Sequence, residues 1–202
     1  HRPSGARMSG RSDPAAVLLL GILNADAPPR MNVFLVGPMG SGKSAVGRQL
    51  AQRLALQFID SDEEIEARTG VDIPYIFERE GEAGFRQREA EVIDAVTRRE
   101  GVLVSTGGGA ILDAGTRERL RARGHVVYLR TSVDQQLART RRSNDRPLLN
   151  NDDPRGTLER LFEQRAPLYA EVAEFVVDTD GRKVKAVVDQ ICHQLGVDGV
   201  EP

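Results

Sequence analysis

Residues 33–44 read VFLVGPMGSGKS, and this stretch decides how the rest of the chain is interpreted. The apolar run Val33–Val36 is typical of a buried strand. The eight residues after it match the pattern G-x-x-x-x-G-K-[ST], which has its physical meaning between a strand and a helix. Glycines let such a loop curl around phosphate oxygens, and the following helix adds the positive end of its dipole. The stretch therefore predicts binding of a nucleoside triphosphate.

The phosphate loop also predicts what its residues would hold. Lys43 would reach the β- and γ-phosphates, and the Ser44 hydroxyl would bind Mg²⁺. The remaining nucleotide contacts are predicted at Gly40, Ser41, Gly42 and Ala45. The motif alone leaves open whether the protein is a kinase, a switch or a motor.

Short apolar runs alternate with helical periodicities along the rest of the chain. Further strands are predicted at Phe58–Ile59, Val102–Val104, Val126–Leu129 and Glu174–Val177, and helices at Ala45–Leu56, Asp113–Arg123, Val133–Arg141 and Lys183–Leu195. Residues 65–99 are predicted to be mostly helical, with Pro74 at a helix start and breaks at Gly81 and Gly84. This alternation favours a three-layer α/β/α fold in which a five-stranded parallel sheet is the middle layer.

The overall composition is that of a globular protein. The 202 residues carry a formal net charge of -2, so no overall basic field points to nucleic acid. The lone cysteine, Cys192, excludes an internal disulfide framework and fits a reducing compartment. We therefore expect a cytoplasmic protein without nucleic-acid or membrane partners.

The ends of the chain differ from its middle. Residues 1–30 begin with a polar, Gly-, Ser-, Pro- and Arg-rich stretch that we expect to be partly disordered. The apolar run at 15–25 superficially resembles the core of a secretory signal but is too short to span a bilayer. We interpret residues 1–30 as an extension, or as sequence upstream of a start at Met31. The main domain is predicted at 31–197, with a short tail at 198–202.

Three chemically distinctive stretches follow predicted strands. The first strand leads into the phosphate loop, the second into Asp60-Ser61-Asp62, and the third into the glycine triplet Gly107–Gly109. Ligands of open parallel sheets bind at the carboxyl ends of the strands, so we expect these stretches to line one crevice. The aspartates would anchor Mg²⁺ and orient an attacking hydroxyl, or else cap the next helix. The glycines would form a wall against a bound acceptor, or else a plain turn.

Three arginines are candidates for the remaining chemistry. The guanidinium groups of Arg86 and Arg165 can each grip a carboxylate through two hydrogen bonds, although arginines in charged helices are usually solvated. Arg146 lies in the polar segment 141–156, which is either a mobile lid or an ordinary surface loop. In a lid, Arg146 would close over the transferring phosphoryl group and offset its charge.

The motifs GPMGSGKS, FIDSD, IFEREGEAGFRQRE, STGGG, RPLL and RAPLYAEVA occur in this order, and together they resemble shikimate kinase from about Met31 to about Leu195. The resemblance implies a nucleoside-monophosphate-kinase-like fold. It also implies ATP-dependent phosphorylation of the shikimate 3-hydroxyl, on the route to chorismate and the aromatic amino acids, by a monomer.

The resemblance also implies roles for individual residues. Lys43, Asp62 and Arg146 would be catalytic, and Ser44 and Asp60 would serve Mg²⁺. Arg139, Arg146 and Arg182 would contact ATP. Shikimate would be bound by Asp62, Arg86, Gly107, Gly108, Gly109 and Arg165.

Two other functions remain open at this point. A gluconate or nucleotide kinase would share the phosphate loop but would not need the glycine triplet together with two arginines. A nucleotide-dependent regulatory module would need no acceptor at all.

Overall fold

The computed structural model describes residues 31–140, Leu149 and residues 151–197. Five strands form one sheet: β1 (Val33–Val36), β2 (Gln57–Asp60), β3 (Val102–Ser105), β4 (His125–Arg130) and β5 (Phe175–Asp178). The strand order is β2-β3-β1-β4-β5, and every neighbouring pair is parallel. The predicted five-stranded parallel sheet is confirmed.

Seven α-helices connect and flank these strands in the described residues. They are α1 (Lys43–Arg53), α2 (Ser61–Thr69), α3 (Ile73–Thr97), α4 (Ala114–Arg123), α5 (Val133–Thr140), α6 (Pro154–Val172) and α7 (Val184–Gln194). A 3₁₀ turn at Ala110–Leu112 follows the glycine triplet. The helix α6 was not predicted from the sequence. The first turn of α6 occupies residues 154–156, so the end of the expected lid segment is helical.

The sheet separates two hydrophobic cores, because alternate side chains along each strand point to opposite faces. Phe34, Val104 and Tyr128 pack on one side with residues of α3, α4 and α6. Leu35 and Leu103 pack on the other side with residues of α1 and α7. All five of these strand residues are at most 2% exposed, so the three-layer arrangement has the buried central sheet that parallel strands require.

The long helical stretch that the sequence predicted at residues 65–99 is interrupted twice. Gly70 ends α2, and Pro74 lies in the first turn of α3, where a proline is well tolerated. Gly81 breaks α3 as predicted, with φ 69° and ψ -178°. The predicted break at Gly84 is wrong, because Gly84 is helical and makes room for Glu80, whose Cβ would lie 2.5 Å from a Cβ at position 84.

Candidate active site

The carboxyl ends of β1, β2 and β3 meet at one cleft of about 640 Å³. Met39 of the phosphate loop contributes to its lining. The cleft brings together all six predicted acceptor-site residues and the predicted metal ligand Asp60; the six are Asp62, Arg86, Gly107, Gly108, Gly109 and Arg165. These residues come from β2, α2, α3, α6 and the turn after β3, so they become neighbours only through the fold.

The phosphate loop has the curled backbone that its glycines predict. Gly40 and Gly42 adopt φ of 76° and 90°, a left-handed region that side chains disfavour. The ammonium group of Lys43 donates to the carbonyl oxygens of Gly37 and Pro38, both at 2.8 Å. Lys43 is thus folded back onto its own loop, with its charge placed at the entrance of α1.

Asp60 caps α2, which is one of the roles predicted for it, and it also contacts Ser44. One carboxylate oxygen accepts from the backbone N–H groups of Asp62 at 3.0 Å and Glu63 at 3.4 Å, and so caps α2. The other oxygen accepts from the Ser44 hydroxyl at 2.8 Å. Two hard oxygen ligands, from Ser44 and Asp60, therefore lie side by side between the phosphate loop and the acceptor end of the cleft.

The glycine triplet is closely surrounded by side chains of the protein itself. A Cβ at position 107 would lie 2.4 Å from Oε1 of Glu89 and 2.9 Å from Oδ1 of Asp62. A Cβ at position 109 would lie 2.3 Å from Nη2 of Arg86. A side chain at 107 or 109 would therefore displace the carboxylate or guanidinium groups that line the acceptor end of the cleft.

Arg86 is held by carboxylates on its own helix. It donates to Glu89 at 2.6 Å and to Glu82 at 3.2 Å, and its guanidinium also lies against the ring of Phe85. These partners raise the pKa of Arg86 despite its partial burial, so it carries a full positive charge. Within the described residues, its Nε finds no hydrogen-bond acceptor.

Arg165 lies deeper, on α6, and is only 4% exposed. Its Nη1 would be 3.6 Å from a Cβ at Gly108. Its Nε, like that of Arg86, has no acceptor in the described part of the chain. A buried cation with an unused donor is costly unless an anion completes its bonding, so the arginine pair suits a carboxylate ligand.

Sequence reasoning gave no role to Glu89, which is central to this site. It is 1% exposed, and burial raises its pKa from 4.5 to about 7, against the lowering effect of Arg86. Its Oε1 has no hydrogen-bond partner among the described residues. The available signal was the spacing in FRQRE, which places Glu89 one helical turn after Arg86.

Arg139 and Arg182, two of the three predicted nucleotide-side arginines, lie outside the lining of this cleft. Arg139 on α5 donates to the Gly40 carbonyl at 2.8 Å, which places it directly against the phosphate loop. Arg182 donates to the carbonyl of Asp178 at 3.0 Å and to that of Ala186 at 3.1 Å, at the end of β5. Arg146 and most of the expected lid, residues 141–148 and 150, lie outside the described residues, as do residues 1–30 and 198–202.

Comparison with known proteins agrees with this geometry. The shikimate kinase family model matches residues 39–196. A shikimate kinase of Shewanella amazonensis is 55% identical over 167 residues, which are 83% of this chain and 98% of that protein. The structure of shikimate kinase from Acinetobacter baumannii in complex with shikimate has a TM-score of 0.81 and 46% identity, and the match covers 85% of this chain and 96% of that one.

A more distant solved structure, deoxyadenosine kinase from M. mycoides, shares the fold with a TM-score of 0.55 at 16% identity. The phosphate loop at the carboxyl edge of a parallel sheet, open to an acceptor cleft, defines the class of small P-loop kinases. Within that class the identity and coverage are decisive. The chain belongs to the shikimate kinase family, whose members use ATP as the phosphoryl donor.

No helix among residues 31–140 and 151–197 has both the length and the apolar stretch that crossing a bilayer would take.

Proposed function

We propose that the protein transfers the γ-phosphoryl group of ATP to the 3-hydroxyl of shikimate, on the route to chorismate and the aromatic amino acids. The observation that carries the proposal is the pair of guanidinium groups, Arg86 and Arg165, whose Nε donors lie buried and unused beside the glycine triplet. Two cations for one carboxylate and Asp62 for hydroxyls describe a polyhydroxy acid as the acceptor.

The acceptor would lie between the arginines and the glycine triplet. Arg86 and Arg165 would grip its carboxylate, and the glycine triplet would lie against its ring, with the N–H groups of Gly108 and Gly109 as the donors to its ring substituents. Asp62 would accept a hydrogen bond from the hydroxyl that attacks phosphorus. The proposal is supported by the common cleft that these residues line with Met39, because Met39 belongs to the phosphate loop.

The donor would be held by the phosphate loop. The N–H groups from Gly40 to Ala45 would surround the phosphates, and Lys43 would leave its own loop carbonyls to pair with the β- and γ-phosphates. Arg139, which contacts the Gly40 carbonyl, would lie at the nucleotide. Arg182 would lie beside the adenine.

Ser44 and Asp60 would hold Mg²⁺. Their oxygens lie 2.8 Å apart and are the hard ligands that this ion prefers. Clusters of three or more His, Cys, Asp or Glu side chains are absent from the described residues, which suits an ion bound largely through phosphates and water. When bound, Mg²⁺ offsets negative charge on the β- and γ-phosphate oxygens.

The chemical step would be an in-line displacement. The 3-hydroxyl oxygen forms a bond to the γ-phosphorus as the bond from that phosphorus to the β–γ bridging oxygen breaks, and ADP leaves. The proton of the hydroxyl goes to the Asp62 carboxylate. Lys43 and Arg146 would spread the charge of the transferring group, and the lid predicted from the sequence would exclude water.

The proposal includes a monomer working in the cytoplasm. One chain supplies both the donor loop and the acceptor residues, so the proposed reaction does not require a second subunit, and the cytoplasm provides ATP. Sedimentation of the active enzyme at assay concentration tests the oligomeric state.

An acceptor panel tests the proposal against its rivals. ADP release is measured with ATP and Mg²⁺ in the presence of shikimate, of gluconate, or of no acceptor. We expect ADP release when shikimate is the acceptor, and none with gluconate or without an acceptor. Turnover with gluconate would favour another small-molecule kinase, and equal turnover without any acceptor would favour a nucleotide-dependent regulatory module.

A further inference from the structure

The turn formed by Gly107–Gly109, called the glycine turn, is held by three hydroxyl groups. One belongs to the residue that precedes the turn, and the other two come from α2 and α6. Thr106, just before it, donates through its hydroxyl to the carbonyl oxygen of Leu35 on β1 at 3.0 Å. The N–H of Gly107 donates to the Ser61 hydroxyl at 2.9 Å. The Tyr169 hydroxyl on α6 donates to the Gly108 carbonyl.

Both Ser61 and Tyr169 are deeply buried, at 0% and 1% exposed. Burial also raises the pKa of Tyr169, so its hydroxyl keeps its proton and donates at any working pH. Because both hydroxyl groups are buried, loss of either one removes the protein partner of a backbone group of the turn. The two bonds therefore constrain the turn more strongly than surface bonds would.

The bond from Tyr169 fixes the orientation of one peptide group. A trans peptide is planar, with its C=O and N–H pointing to opposite sides. Because the Gly108 carbonyl points at Tyr169, the N–H of Gly109 points the other way. Gly108 and Gly109 line the cleft, whereas Tyr169 lies in the core behind them, in tilted contact with the ring of Tyr128. The Gly109 N–H is thereby turned toward the acceptor side.

Two N–H donors of the glycine turn are unused by the described residues. Within the described part of the chain, the N–H groups of Gly108 and Gly109 donate no hydrogen bond, while the N–H of Gly107 is used by Ser61. We propose that Tyr169 and Ser61 are positioning residues, whose hydroxyl groups hold the glycine turn so that the N–H groups of Gly108 and Gly109 face the bound acceptor. The inference rests on the proposed function, because it assumes an acceptor in this cleft.

The experiment compares Tyr169→Phe with Tyr128→Phe. Both variants remove one buried phenol oxygen and keep the ring, and the two rings touch with centroids 5.0 Å apart. The Tyr128 hydroxyl has no hydrogen-bond partner among the described residues, which makes it a matched control. For each variant, kcat, the KM for shikimate, the KM for ATP and the melting temperature are measured.

We expect Tyr169→Phe to raise the KM for shikimate by about five- to tenfold, the change that corresponds to one buried hydrogen bond. The KM for ATP should stay within about twofold, since the phosphate loop keeps its own contacts. Tyr128→Phe should leave both KM values near those of the wild type. An equal KM for shikimate in the two variants would overturn the inference, as would a parallel rise of both KM values in Tyr169→Phe, which indicates general loosening.

Ser61→Ala tests the same turn from its other end and should also raise the KM for shikimate selectively. Because the Tyr169 hydroxyl also interacts with Arg165, Ser61→Ala decides whether the effect comes from the turn, with Thr116→Val as its control for loss of a buried hydroxyl outside the cleft. An unchanged KM for shikimate in Ser61→Ala then overturns the inference. Wild-type turnover with shikimate is measured first, because its absence would overturn the proposed function rather than this inference.

Discussion

Arg86 donates a 2.6 Å hydrogen bond to Glu89, a carboxyl group that is 1% exposed and has a pKa of about 7. The positive partner of a bound carboxylate is thus already engaged by a buried acid. Asp62 and Arg165 also act on Glu89: the charge of Asp62 raises the pKa of Glu89, and the charge of Arg165 lowers it. Binding of an anionic acceptor should therefore be linked to the protonation of Glu89.

The first prediction is a pH dependence of acceptor binding. A carboxylate at Arg86 repels ionised Glu89, so the acceptor raises the pKa of Glu89 further and is bound more weakly once the pH exceeds about 7. The KM for shikimate should rise with pH through this range in the wild type. In Glu89→Gln the rise should be absent, and a steep rise that persists in this variant would assign the titration to another group.

The second prediction is a pH dependence of the free energy of unfolding, which also follows from the pKa of Glu89. Since burial raises the pKa of Glu89 from 4.5 to about 7, the folded state binds its proton more tightly than the unfolded state. Its contribution is complete below pH 4.5 and is lost as the pH rises toward about 7. The free energy of unfolding, measured in urea, should decline over this interval in the wild type relative to Glu89→Gln. Parallel curves for the two proteins would contradict the prediction.

A third prediction concerns the close approach of Arg86 to the glycine turn. A Cβ at position 109 would lie 2.3 Å from Nη2 and 2.4 Å from Cζ of Arg86, so Gly109→Ala must displace the guanidinium. A displacement of this size should raise the KM for shikimate by on the order of a hundredfold. ADP binding, measured by calorimetry, should remain near the wild-type value.

Gly115→Ala is the matched control for that variant. Gly115 lies in α4. A Cβ there would have as its nearest neighbours Nη1 of Arg119 at 3.2 Å and Oδ2 of the capping residue Asp113 at 3.3 Å. Alanine in a helix should stabilise the protein by up to about 1 kcal/mol without changing either KM. Equal KM values for shikimate in the two variants would show that Arg86 tolerates the added methyl group.

The fourth prediction separates the two roles of Asp60. Asparagine caps helices about as well as aspartate, so Asp60→Asn should keep the start of α2 while losing the negative charge beside Ser44. The Mg²⁺ concentration needed for half-maximal turnover should rise by about tenfold or more. Asp113→Asn, at the cap of α4, is the control and should leave the Mg²⁺ requirement unchanged. A large loss of melting temperature in Asp60→Asn alone would point to a capping role only.

The fifth prediction tests Asp62 as the acceptor of the hydroxyl proton. Asp62→Asn keeps the size of the side chain but removes its basicity, so kcat should fall by on the order of a hundredfold to ten-thousandfold. Binding of a non-hydrolysable ATP analogue, measured by calorimetry, should stay close to that of the wild type. Loss of nucleotide binding in this variant would instead assign Asp62 to the metal or to folding.

The fold was largely predictable because its signals are local. The run Val33–Val36 and the glycines after it specify a buried strand and a phosphate loop within a dozen residues, and the structure confirms the parallel sheet that the strand and helix pattern implied. The order of the motifs also identified the family correctly. Boundaries were less accurate, as at Gly84, because the packing of Glu80 against this glycine is not visible as a pattern.

By itself, the sequence determined the class of the fold, the position of the phosphate loop and which residue types could serve an acidic, hydroxylated acceptor. The roles given to Asp62, Arg86 and Arg165 stay predictions. Only the tertiary structure decided that Glu89 is buried against Arg86, that Asp60 both caps α2 and meets Ser44, and that Tyr169 holds the glycine turn. The physical reason is that loop conformation and strand periodicity depend on neighbouring residues, whereas the burial that raises the pKa of Glu89, and hydrogen bonds such as Ser44 to Asp60 and Tyr169 to Gly108, depend on residues distant in the chain, 16 and 61 positions apart in these two bonds.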